Sequence, residues 1–116
     1  MRKIEQQMNR AIVNKNDWMV DSNHSNTSVE YNNNTNCSTV VLYNTAIATY
    51  DHNTQALKLN SGGYTTNTTK SRLNAILQEL IAGARVYQKA FDWYLSYNNQ
   101  TVDFWDNMIL VNGEVV

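Results

Sequence analysis

Ser38-Thr39-Val40-Val41-Leu42-Tyr43-Asn44-Thr45-Ala46-Ile47-Ala48-Thr49-Tyr50 reads as one strand, a tight turn and a second strand. Its β-branched and aromatic residues suit a pleated, half-buried surface. Asn44-Thr45 is a two-residue connection, and Asn tolerates the positive φ that a primed hairpin turn requires. Downstream, Asp51-His52-Asn53-Thr54-Gln55 reads as a turn and Ala56-Leu57-Lys58-Leu59-Asn60 as another strand, ended by Ser61-Gly62-Gly63. Upstream, Thr27-Ser28-Val29-Glu30-Tyr31 alternates as a half-buried strand does, and Asn32 to Cys37 reads as an exposed hairpin loop. The whole is an antiparallel meander.

Helical periods flank this meander. Ile4, Met8, Ala11 and Ile12 place an amphipathic helix over residues 3–14, and Trp18-Met19-Val20 pins a short strand or a loop to the core. Leu73, Ile76, Leu77, Leu80 and Ile81 form the stripe of a central helix, with Thr68 or Thr69 as its cap and Gly83 as its stop. Ala84, Tyr87, Phe91 and Leu95 would prolong that stripe, but Arg85-Val86-Tyr87-Gln88 and Trp93-Tyr94-Leu95 have strand composition, which favours a hairpin over residues 84–97. Thr101-Val102-Asp103-Phe104-Trp105 and Met108-Ile109-Leu110-Val111 read as two short strands around Asp106-Asn107, with Asn112-Gly113 beginning a last turn. The expected fold is a single compact α+β domain over residues 1–116. It has an N-terminal helix, an antiparallel sheet of four to six strands, and one long central helix packed on it.

The 116 residues carry a net charge of −1, so no global field draws the chain to nucleic acid or acidic lipid. The charge is segregated instead. Arg2, Lys3, Arg10 and Lys15 stand against Glu5 at the start, and Lys70, Arg72, Arg85 and Lys89 against Glu79 in the middle. Asp92, Asp103, Asp106 and Glu114 stand at the end with no cation among them. A basic and an acidic face on one domain give a route to head-to-tail homo-oligomers. The single Cys37 fits a reducing compartment and has no neighbouring cation to activate it. The N-terminal stretch lacks the apolar core of a signal peptide and no stretch reaches the ~20 apolar residues of a membrane span, so no membrane association is expected.

The candidate site is the start of the central helix. Thr68, Thr69, Lys70, Ser71 and Arg72 put hydroxyls and two cations where unpaired backbone N–H groups already carry positive partial charge. With Arg85 they could surround a phosphate. No Gly-rich loop precedes Lys70, which excludes a P-loop. The competing reading makes the threonines caps and leaves Lys70 and Arg72 solvated or paired with Asp103 or Asp106. The aromatic residues could stack bases if exposed, but a domain this small needs most of them as core. Asp92, Asp103 and Asp106 lack the strand pattern of a nuclease, and His24 and His52 lack metal-binding spacing. No cofactor, metal or catalytic group is expected.

Several of these segments, taken in order, resemble a family of small proteins from tailed bacteriophages. The residues that carry the likeness are Ile4-Glu5-Gln6-Gln7-Met8 through Trp18, Val40 through Ala48, and above all Thr68-Thr69-Lys70-Ser71-Arg72-Leu73-Asn74-Ala75. Val86-Tyr87-Gln88-Lys89, Trp93 and Phe104-Trp105-Asp106-Asn107-Met108 complete it. Relatives carry His-Gly where this chain has Tyr43-Asn44, so no catalytic histidine is implied there. They carry Trp where Tyr64 stands, which keeps an aromatic before the helix. The resemblance implies phage origin and action in the cytoplasm of an infected bacterium, and it transfers no activity. The expected function is that of a non-enzymatic accessory protein, of the host-takeover or counter-defence type, that binds a host or phage macromolecule, with a host or phage protein as the first expectation. The alternative is a nucleotide or nucleic-acid binder using the phosphate site at the helix start.

Overall fold

A computed structural model describes residues 1–20 and 26–116; the His24 of the sequence reading lies outside them. Helix α1 spans Lys3–Val13 and α2 spans Asn67–Leu80. The strands are β1 (Trp18–Met19), β2 (Thr27–Asn32), β3 (Cys37–Leu42), β4 (Thr45–Asp51), β5 (Ala56–Leu59), β6 (Arg85–Lys89), β7 (Asp92–Tyr97), β8 (Gln100–Asp103), β9 (Met108–Val111) and β10 (Glu114–Val115). They form a seven-stranded antiparallel sheet, β1-β2-β3-β4-β5-β9-β10, and a separate three-stranded sheet, β6-β7-β8.

The fold is α+β, but the main sheet has seven strands where four to six were expected. The extra strands come from the ends: β1 joins β2, while β9 returns to pair with β5 and brings β10 with it. The hairpin expected over residues 84–97 forms, yet it builds the small sheet with β8 and not the large one. The central helix also sits differently. It lies mainly against α1 and β6 and meets the large sheet at β4.

Local chemistry explains the boundaries. Tyr43 and Asn44, both at positive φ (49° and 65°), make the β3–β4 turn, one residue earlier than Asn44-Thr45. This frees Thr45 to open β4 opposite Leu42. A bulge between Val40 and Val41 leaves Ile47 without a partner in β3, and Ile47 and Ala48 are both buried. The cap of α2 is Thr66, whose Oγ1 accepts from Thr69 N–H at 3.1 Å; Thr68 and Thr69 lie inside the helix. Gly83 lies beyond the end, since the helix stops at Leu80 and Ile81 has left the helical region (φ −137°, ψ 90°). Gly62 cannot be replaced cheaply: its φ is +68° and an added Cβ would stand 2.2 Å from Thr45 Cγ2.

One apolar core joins both helices and both sheets. Met8 and Ile12 of α1, Leu73, Ile76 and Leu77 of α2, Leu57 and Leu59 of β5, Leu95 of β7 and Leu110 of β9 are all shut away from solvent. Each buried Leu or Ile contributes roughly 1.5–3 kcal/mol of transfer free energy.

Candidate functional site

Two polar residues on the buried face of α1 decide what the start of α2 can do. Glu5 and Asn9 sit one turn apart beside Met8 and Ile12, so that face packs with polar atoms inside it. Asn9 donates to the Ala75 carbonyl at 2.9 Å. Glu5 Oε2 accepts from Ser71 Oγ at 2.6 Å and from Arg72 Nη1 at 2.8 Å, while Oε1 accepts from Arg2 N–H at 3.3 Å. Arg72 Nε donates to Thr27 Oγ1 at 3.1 Å. Glu5 and Arg72 are each 3% exposed. Burial by itself raises the Glu5 carboxyl pKa, but the hydrogen bonds from Ser71, Arg72 and Arg2 and the Arg72 charge outweigh it and hold the group below its ordinary value. Arg72 therefore ties α2 to α1 and β2.

The other expected site residues divide between interior and surface. Thr69 is buried against Thr66, and Thr68 is half-buried. Lys70, Ser71 and Arg85 come together, with Asn67, Asn74, Val86, Tyr87 and Gln88, around an open cleft of about 380 Å3 between α2 and β6. Lys70 Nζ donates to Gln88 Oε1 at 3.0 Å and lies 5.9 Å from the Trp93 ring centre. Asn74 forms the cleft's hinge, donating to the Val86 carbonyl at 2.9 Å and accepting from Val86 N–H at 2.7 Å. One amide side chain thus replaces a neighbouring strand along that part of β6.

The small sheet turns a second set of side chains outward. Tyr87 and Tyr94 face each other across β6 and β7 and stack, with ring centres 5.5 Å apart and planes 28° apart. Arg85 lies 5.9 Å from the Tyr87 ring centre. These ring faces are spent on each other and on the guanidinium. At the tip, Ala90 and Phe91 both take positive φ (51° and 71°), and Phe91 is 93% exposed. Primed turns demand positive φ at both central residues and select Asn or Gly for it. A bulky residue there is strained.

A family model described as Kyanoviridae Gp96 protein matches residues 1–111. The chain belongs to that family. The phage character implied by the resemblance is thereby supported over nearly the whole chain. Neither a curated protein nor a solved structure matches.

Within this family member, several other polar groups have structural partners, while the buried Asn9 Oδ1 and Trp93 Nε1 have none among the described residues. His52 Nε2 lies 2.8 Å from Ser38 Oγ, and the Tyr31 and Tyr50 rings meet the imidazole edge-on. Burial, then the Lys15 charge, push the His52 pKa below its ordinary value. Ser38 is 1% exposed, and Asp51 Oδ1 accepts from Asn53 and Thr54 N–H, so a Ser–His pair missed by sequence reasoning is a polar tie at the sheet's end. Asp106 Oδ1 accepts from Ser61 N–H and Oγ, each at 2.8 Å. Among the described residues no group of three His, Cys, Asp or Glu side chains could hold a metal ion. Phe91 and the Asn74 tie were missed as well. For Phe91 a signal existed: an Ala-Phe pair sits between two strand-like runs at the spacing of a two-residue turn.

Proposed function

We propose that the protein is a phage accessory protein that works by binding a host or phage protein in the cytoplasm of the infected bacterium, without catalysing a reaction. The observation that carries this reading is Phe91. A 93% exposed aromatic at positive φ costs both solvation and backbone strain, and such strain concentrates where a surface makes contacts. The outward residues Arg85 and Tyr87 on β6 supply the guanidinium and aromatic groups over-represented at the centres of protein interfaces. The test is capture by the tagged chain from infected cells, run beside Phe91→Asn. Asn suits the turn better, so the variant should melt no lower than the parent yet lose its captured protein. A variant that keeps the same partner, or a parent that captures no protein, overturns the reading.

A second reading places a nucleotide or nucleic acid at the cleft, supported by the convergence of Lys70, Ser71 and Arg85 there. It predicts salt-dependent oligonucleotide binding that Lys70→Ala with Arg85→Ala removes.

A further inference from the structure

The two sheets have four edges, and three of them are blunted. β1 and β10 are two residues long, and beyond β1 the Asp17 carboxylate accepts from the outward Tyr31 N–H at 2.7 Å. On β6, Asn74 occupies both outward groups of Val86. The fourth edge, β8, has no such device among the described residues. Its register fixes which groups are free. Phe104 N–H donates to the Trp93 carbonyl, and hydrogen-bonded positions alternate in an antiparallel pair. Val102 and Gln100 therefore face β7, and the N–H and C=O groups of Thr101 and Asp103 point out of the sheet. Both residues are exposed, and their backbone groups have no protein partner among the described residues.

Charge says what would add there. Asp103 lies on the strand itself, Asp106 follows it, and Glu114 accepts from Asn98 beside the β7–β8 turn at 2.6 Å. No Lys or Arg occurs after Lys89. Asp92 is matched by Lys89 opposite it, and the cations Arg85 and Lys89 lie two strands away. That is roughly 10 Å across the sheet, about one Debye length at physiological salt.

Given that the protein acts by binding another protein, we propose that the outer edge of β8 takes an extended basic segment of that partner as a fourth strand. Main-chain hydrogen bonds to Thr101 and Asp103 supply the attachment, and alternate Lys or Arg side chains on the face of Asp103 supply the selectivity. A second copy of this chain fits poorly, because antiparallel β8–β8 pairing sets the Asp103 and Asp106 end of one strand toward the Asn98 and Glu114 end of the other, and like charges across strands repel. Nucleic acid meets the same repulsion.

The experiment follows amide hydrogen exchange in the full chain with two probes, a heptapeptide alternating Lys and Val and one alternating Glu and Val. The Lys peptide should slow exchange at Thr101 and Asp103 at least tenfold, and the Glu peptide should not. Thr101→Pro removes an N–H that bonds no protein group. It should abolish the protection at Asp103 while exchange at Leu57 and Leu95 stays as slow as before. Asp103→Lys should reverse the peptide preference. Unchanged exchange with millimolar Lys peptide, or protection that survives Thr101→Pro, overturns the proposal. So does protection in the free chain at twice the monomer mass, which assigns the edge to a second copy, and so does protection by oligo(dT). A β8 edge that fails while Phe91→Asn still loses its captured partner removes this inference and leaves the binding reading standing. The opposite pair of results does the reverse.

Discussion

The large sheet and the small sheet face the same two problems, tight turns and free edges, and treat them differently. The large sheet's two-residue turns, Tyr43-Asn44 and Asn112-Gly113, each hold at least one Asn or Gly at positive φ, with Tyr43 (φ 49°) the bulky residue among them, and the sheet ends in two-residue strands. The small sheet has one compliant turn, Asn98-Asn99, and one that breaks the rule, Ala90-Phe91. One of its edges is plugged and the other is open. The departures lie together on exposed ground, away from the core that both sheets share. The large sheet bends the turn rule at Tyr43 and Gln55, both at positive φ, but among the described residues the small sheet has the two-residue turn with neither Asn nor Gly. Sites of recognition are expected to break such rules.

The largest effect should come from the polar tie that anchors α2. Arg72→Ala leaves Glu5 buried and uncompensated, which typically costs 3–5 kcal/mol; urea unfolding would measure it. Glu5→Gln with Arg72→Met removes both charges and should recover most of that loss. The pH dependence has a definite sign. Because folding lowers the Glu5 pKa, its contribution is whole above the ordinary value of 4.5 and fades as pH falls through the folded value. The double variant should lose less stability than the parent over that interval. Equal acid sensitivity would show that other carboxylates dominate.

Next in size is Asn74→Ala, which strands the Val86 N–H and C=O. An orphaned polar group costs about 1–3 kcal/mol, and the damage should be local. Exchange should accelerate along β6 and change little in β3 and β4. Loss of protection in both sheets together would mean that they do not open separately, and the contrast between them would weaken.

The meander and both helices were legible because their information is local: β-branched alternation at 38–50, a helical stripe at 73–81, and strand composition at 85–97. The strand count was not, because nothing in Met108-Ile109-Leu110-Val111 announces that it will pair with β5, 53 positions from Leu110 to Leu57 and further from the rest of the meander. The slipped turn has a related cause: Asn44 supplied one positive-φ position, but Tyr43, not Thr45, supplies the other. At the site, Arg72 reads from sequence as a ligand-seeking cation because its partner Glu5 lies 67 residues away on α1. Lys70 and Arg85 meet only because Asn74 draws β6 to α2, a bond that no local pattern encodes.

The smallest expected effect tests the contrast most directly, by exchanging turn sequences between the sheets. Ala90→Asn with Phe91→Gly supplies the residues that positive φ favours, and relief of one strained position is worth about 1 kcal/mol. The variant should therefore melt a few degrees higher while losing its captured protein. The reciprocal change, Asn112→Ala with Gly113→Phe, puts the strained pair into the large sheet. There is room for it, since a Cβ at Gly113 would meet Ile81 Cγ2 no closer than 3.9 Å, so its cost should reflect backbone strain and not a clash. A gain at one turn matched by a loss at the other would show that the Ala-Phe turn is held against its own preference. If the first exchange instead destabilises, Phe91 contributes to folding, and its exposure no longer argues for a partner.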